Sequence, residues 1–329
     1  MSQRAAHALA ETTVVDTDVH ITVPEETIAT YLEEPYRSSI TDSPHPMFPS
    51  SSWDQRMGGK IDDYFSTFTG PEDVREFQAD FEIEYPIINT FEPLGKFSQP
   101  DLAMSLMRAY NDLLLDKFLD DYDFLGLAAV ATQRPREAAE EIERLAPEED
   151  VVAVALPSTG LAPLPGHEFY DPIYEAAEAY GLPVCLHGSA GQLSEQFPMV
   201  NKWIETYAEG HTVSHPLSAI SNVSNMILEG VPERFSDLSF VIQEAGIGWV
   251  PYLVWRLDDH YLERAYELPL LDRPPSEYFQ EQFYVGSQRL GLPPTPGALA
   301  KMVELAGTGS VMFAADLPHF DFDPPEELF

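Results

Sequence analysis

Asp16, Asp18 and His20 recur at every second position near the N-terminus. In an extended strand successive side chains alternate faces, so this spacing turns two carboxylates and an imidazole to the same side. Two later apolar runs stop in a similar way: Val184-Cys185-Leu186 ends on His187, and Met312-Phe313-Ala314-Ala315 ends on Asp316. A strand that closes on a charged or titratable side chain must satisfy that group where it ends. Asp18, His20, His187 and Asp316 together offer two imidazoles and two carboxylates. That mixed nitrogen and oxygen set suits one divalent metal ion, zinc first, with manganese or iron as alternatives. Singly, each residue has a plainer use, the histidines as hydrogen-bonded structural groups and the aspartates as helix caps. Their repetition at three strand ends favours the metal.

Convergence of distant strand ends requires a fold that brings them to one rim. Short β-branched runs alternate with longer stretches of helical period, which argues for βα units and a parallel sheet. The candidate strands are 13–18, 85–89, 125–131, 151–156, 183–187, 239–244, 282–286 and 310–315. Eight parallel strands predict a closed (β/α)8 TIM barrel, whose chemistry lies at the C-terminal ends of the strands. Helices are expected over 100–119, 135–145, 170–180 and 217–229, with Gly181 as a C-cap. Residues 41–60, rich in Pro, Gly and Ser, read as a long loop shaping a site, and residues 1–12 as a flexible tail. Residues 13–329 then form a single catalytic domain.

The chain has 55 acidic against 18 basic residues and a formal net charge of −37. Such a field disfavours nucleic acid and anionic membranes as partners and leaves a small molecule as the expected ligand. Acidic clusters are spread over polar segments while the apolar strands remain ordinary, which reads as a folded protein solvated for high salt. The single cysteine, Cys185, sits in an apolar run and reads as a small buried hydrophobe. No run reaches the roughly 18 apolar residues of a membrane span, so a cytoplasmic protein is expected.

Several segments carry a family resemblance: VVDTDVH, YNDLLLDKF, YDPIYEAAEAYGLPVCLHG, SHPLSAISNVSNMILEGVPERFSDLSFVIQEAGIGWVPYLVWRLDDHY, RPPSEYF and FAADLPHFDFD. In their order and number they resemble the amidohydrolase-related family, which includes aminocarboxymuconate-semialdehyde decarboxylase, resorcylate decarboxylases and many metal-dependent hydrolases. The resemblance implies that Asp18-Val19-His20 is an acidic variant of a first-strand metal pair. It likewise implies that His187 is the fifth-strand metal histidine and that Asp316 is an aspartate doubling as proton carrier. In the better-known decarboxylases the sixth strand ends in a histidine, and here that position holds Glu244. The resemblance also implies a homodimer and a closing helix after the eighth strand. With the chain stopping at Phe329, that helix is expected to be either truncated or replaced by a partner's surface.

The function expected is a metal-dependent, non-oxidative decarboxylase or hydrolase acting on a small aromatic or cyclic carboxylate. Hydrolysis of an ester, lactone or amide is the near alternative, and a catalytically inactive barrel serving as a binding protein is a second. Asp316 is the expected proton-transfer group, with Glu244 beside it. His215, in the loop after the fifth strand, is expected either to reach substrate or to cap a helix before Pro216. His211 is a weaker candidate of the same kind, and His319 could hydrogen-bond a ligand. Arg256 reads as a brace of the barrel, and Trp249, Tyr252 and Trp255 as helix-packing core aromatics.

Overall fold

Proline opens four of the described helices, Pro71–Asp80, Pro100–Leu114, Pro135–Leu145 and Pro275–Gln282. Its fixed φ suits the first helical turn, where no amide donor is needed. In the computed structural model the described residues are 12–42, 68–89, 99–188, 206–291, 295, 297–319 and 322–325. All but the last residue of the expected 1–12 tail, and all but the first two residues of the expected 41–60 loop, lie outside them.

Eight parallel strands run in sequence order: β1 Val15–His20, β2 Tyr85–Asn89, β3 Leu125–Ala129, β4 Val151–Pro157, β5 Val184–His187, β6 Phe240–Ile242, β7 Phe283–Gly286 and β8 Val311–Met312. The chain beyond β8 returns to β1 and closes the barrel. Thr17 N donates to Phe313 O at 3.0 Å, Asp316 N to Asp18 O at 3.1 Å and His20 N to Leu317 O at 2.6 Å. The barrel expected from the sequence is therefore present. Its sixth and eighth strands are shorter than expected, so Glu244 and Asp316 follow their strands in left-handed backbone, at φ 57° and 63°.

Outside the barrel, the Pro135–Leu145 helix buries Ala138, Ile142 and Leu145 on one face at helical spacing. The Asp171–Tyr180 helix ends on Gly181 at φ 68°, the left-handed cap read from the sequence. Stacked Phe240, Phe283 and Phe279 fill the layer between barrel and helices on the β6–β7 side. Cys185 is buried, as expected.

Three expectations fail. The helix after β5 runs over Tyr207–Leu228, beginning ten residues before the expected start and placing His215 and Pro216 inside it. Its start is a capping box: Thr206 Oγ1 accepts from Glu209 N at 3.2 Å, and Glu209 Oε2 accepts from Thr206 N at 3.0 Å. His215 is therefore neither a loop residue nor a cap. Tyr252 and Trp255, expected in the core, are 62% and 58% exposed, whereas Trp249 is buried. Among the described residues Arg256 braces no strand; it is half-exposed and meets Asp259 of its own helix at 3.6 Å and His260 Nε2 at 3.0 Å.

Candidate metal centre

The pleat of β1 delivers Asp18 and His20 to the barrel's upper rim, and β5 delivers His187 beside them. All three are buried. His187 Nε2 stands 3.2 Å from Asp18 Oδ2, and His20 Nε2 stands 3.5 Å from Asp18 Oδ1. Asp316 reaches the same spot from beyond β8, with Oδ1 2.9 Å from His20 Nε2. The four residues singled out in the sequence thus converge. Donor atoms held about 2 Å from a common ion stand roughly 3–4 Å apart, and these separations match.

A wider ring surrounds them. Glu244 Oε2 lies 3.7 Å from both His187 Nε2 and His215 Nε2. His319 Nδ1 bonds Asp316 Oδ1 at 2.6 Å, and its ring stacks on His20 at 4.5 Å between centroids. His211 meets His215 edge-on, ring centroids 5.2 Å apart. The backbone makes room for this crowding: a Cβ on Gly188 would sit 2.6 Å from the His215 ring and 2.9 Å from Glu244 Oε2. Only glycine after His187 lets the ring and the carboxylate approach.

Electrostatics favour a cation. Burial works against ionising Asp18, but the His187 and His20 imidazoles outweigh it and hold the carboxyl below its ordinary range. Asp316 is likewise held low against burial, by His319 and His20. Burial depresses His20, whereas His187 resists burial and is raised to about 9 by the charges of Asp18 and Glu244. Without an ion the site thus answers its buried carboxylates by keeping a proton on His187. A divalent ion answers the same charge more fully and takes an imidazole and a carboxylate as ligands, so the donor set fits one. His215, by contrast, is pushed down to about 3 by burial and by His211, and is neutral near neutrality.

Two contributors, Asn89 and Gln243, were not singled out in the sequence, and a third, Asp16, serves another purpose than its spacing suggested. Asn89, the last residue of β2, donates to Asp18 Oδ1 at 3.4 Å. Asp16 turns inward with Asp18 but serves the seam: its Oδ1 accepts from Asp18 N at 3.2 Å and Ala315 N at 2.8 Å, and burial raises its carboxyl. Gln243, just past β6, donates across the barrel to Thr17 O and Oγ1, both at 3.0 Å. Asn89 carried the available signal, a polar residue closing an apolar strand as His187 does. Gln243 carried none, because its partner lies far away in the chain.

A cavity of about 540 Å³ opens beside the cluster, with His211, His215 and Glu244 on one wall and Gln288 to Gly291 on the other. That volume lies within the roughly 300–1,000 Å³ usual for small-molecule sites.

The Amidohydrolase family model matches residues 93–329. Gamma-resorcylate decarboxylase of Rhodococcus jostii is 24% identical over 310 residues, covering 85% of this chain and 85% of that protein. The structure of 5-carboxyvanillate decarboxylase from Sphingomonas paucimobilis superposes with a TM-score of 0.70 at 22% identity, over 95% of this chain and 91% of that one. The Novosphingobium aromaticivorans 5-carboxyvanillate decarboxylase, in complex with manganese and 4-hydroxy-3-methoxy-5-nitrobenzoic acid, gives a TM-score of 0.73 at 19% identity, over 96% and 89%. At these identities the structural likeness speaks for the shared barrel.

Proposed function

The chain belongs to the Amidohydrolase family, and on that premise we propose that it is a metal-dependent decarboxylase of a small aromatic carboxylate. The observation that carries this reading is Asp18 set between two imidazoles, His20 and His187, with Asp316 bonded to His20. Asp18, His20 and His187 would hold the ion, with Asp316 at its edge. Zinc is the first candidate on the two imidazoles, and manganese the second, as in the Novosphingobium enzyme complex. When bound, such an ion supplies a Lewis acid that polarises substrate oxygen and lowers the pKa of water.

The chain's own residues supply the proton handling. Asp316 is an ionised carboxylate held by His20 and His319, so it accepts a proton before it gives one. His319, one fifth exposed, ties it to the outside of the site. Loss of carbon dioxide from a ring carbon consumes one proton there, and Asp316 is the group placed to deliver it. His215, buried and neutral, stands 3.7 Å from the Glu244 carboxylate. A buried, convergent set of acids and imidazoles disfavours an inert binding barrel.

A specific observation supports a second reading, hydrolysis of an ester, lactone or amide. Glu244 faces His187, and a carboxylate accepts a proton from water readily while it donates one only when protonated. Purified without chelator, the protein is expected to carry one divalent ion per chain and to release carbon dioxide from hydroxybenzoates. Absence of stoichiometric metal would sink both readings. Glu244→His separates them: gain of decarboxylation with loss of hydrolysis would make this position the switch.

Two broader features belong to the same reading. The surface suits a salt-rich cytoplasm. Tyr252, Trp255 and Leu262 form an exposed apolar stripe on the Trp249–Arg264 helix, continued by exposed Tyr266 in the short turn after it and interspersed with Arg256, Asp259 and Glu263. An antiparallel second copy would set these apolar groups together and Arg256 against the acids, which fits a homodimer.

A further inference from the structure

Gln243 is buried, and its contacts fall one residue away from the groups of the cluster on two strands. Its own N–H donates to Leu186 O at 3.0 Å, next to His187. Its side chain leaves that ladder for β1, where Nε2 donates to Thr17 O and Thr17 Oγ1, both at 3.0 Å, next to Asp18. Thr17 carries the contact onward. Its Oγ1 donates to Phe313 O at 2.8 Å and its N–H to the same oxygen at 3.0 Å, in the segment that leads to Asp316. Glu244 follows Gln243 directly.

The pairing of β1 shows why such a tie is needed. Asp16 is opposite Pro86 and Val19 opposite Ile88, so three steps on β1 match two on β2. That is a β-bulge, which leaves an extra residue outside the ladder and re-aims the side chains around it. Thr17 and Asp18 lie within it. A buried carbonyl outside a ladder needs a donor from elsewhere, and for Thr17 O that donor is Gln243 Nε2. Neighbouring β7 leaves the path open: Gln243 Oε1 occupies the space where a Cβ on Gly286 would begin.

We propose that Gln243 is a positioning residue for the metal centre, holding the β1 bulge and through it the direction of the Asp18 carboxylate, with Gly286 supplying the room. The inference rests on the metal reading above. A group that orients a ligand without touching the ion sets how well that ligand meets the ion's preferred geometry. A carboxamide suits the task, because it donates without bringing a charge into the centre.

For the test, manganese(II) is titrated by calorimetry into chelator-stripped wild type, Gln243→Met, Gly286→Ala, Gln243→Ala and the Gln243→Ala/Gly286→Ala pair. Gln243→Met keeps much of the side chain's bulk but removes the donor, and should bind the ion roughly 10–100-fold more weakly than the wild type. Gly286→Ala removes no hydrogen-bonding group, yet its methyl meets Gln243 Oε1 and should also weaken binding. In the pair that methyl has nothing to displace, so the loss should equal that of Gln243→Ala alone and not the product of the two. Cobalt(II) loaded to saturation reports ligand geometry in its visible absorption, and its bands should shift in Gln243→Met and Gly286→Ala. Urea midpoints of the chelated proteins separate positioning from plain bracing. A lowered midpoint with manganese affinity within twofold of wild type and unmoved cobalt bands would overturn the proposal. So would losses that multiply in the pair, or variants that do not fold at all. A wild type that takes up no divalent ion would fail the metal reading itself and remove the tie's purpose with it.

Discussion

His187 carries the burden of charge in the metal-free centre, and that makes a pH dependence. Its pKa is raised to about 9 by Asp18 and Glu244 against burial, while an unfolded histidine titrates near about 6.5. The folded state therefore binds the proton more tightly. The stability so gained is complete below the unfolded value and is lost as pH climbs through the folded one. Chelated protein is expected to show a urea midpoint that declines between roughly pH 6.5 and 9, whereas in metal-loaded protein the ion replaces that proton and the decline disappears. Coincident curves with and without chelator would contradict placing the ion at His187. His319 gives a second prediction. It holds Asp316 Oδ1 at 2.6 Å, and loss of a partner that orients a ligand typically costs roughly 10–100-fold in metal affinity or activity. His319→Phe should show that loss with the fold intact, and activity within twofold of wild type would refute it. At this scale the sequence was most legible where a strand ends on a lone titratable residue, as at His187. It was least legible at Asp16, whose spacing matches that of Asp18 although its carboxylate serves the closing seam.

Strand positions were read closely because alternating or continuous apolar runs report burial directly, and β2 and the Pro135–Leu145 helix match their expected bounds residue for residue. The element misread most was the Tyr207–Leu228 helix. Pro216 suggested a start just after it, at 217, but the Thr206 and Glu209 capping box lies a full ten residues upstream of Pro216 and its signature is short. The consequence is functional: a helix rather than a loop presents His211 and His215 one turn apart, so the pair is held rigidly over Glu244. What allows that helix to approach β5 is Gly188. Replacing it with alanine puts a methyl group 2.6 Å from the His215 ring and 2.9 Å from Glu244 Oε2. The side chains can give way only by displacing the Glu244 carboxylate or the helix. Gly188→Ala is expected to lower stability by about 1–3 kcal/mol and turnover by up to roughly 100-fold, read from urea midpoints and steady-state rates. A variant as active as the wild type would show that Glu244 and His215 need no fixed separation.

For the whole molecule two electrostatic effects oppose each other as salt is added. Surface pairs such as Arg134 with Glu137 and Lys301 with Glu304, at 3.2 and 2.8 Å, weaken with screening, but exposed pairs of this kind contribute at most about 1 kcal/mol each. The net charge of −37 acts in the other direction. With so many acids for so few bases, most carboxylates face like charges, and folding brings them closer together than they stand in the extended chain. Raising salt from about 0.1 to 1 M shortens the screening length from about 10 to 3 Å, so repulsion across the surface fades while contacts within one pair keep part of their strength. Repulsion should therefore win, and the thermal midpoint in potassium chloride should climb steeply from 0.1 M and flatten above about 1 M. Sodium chloride should act alike, since screening depends on ionic strength. A midpoint that stays flat or falls over that range would mean that the acids are already compensated at low salt, and the proposal of a salt-rich cytoplasm would go with it.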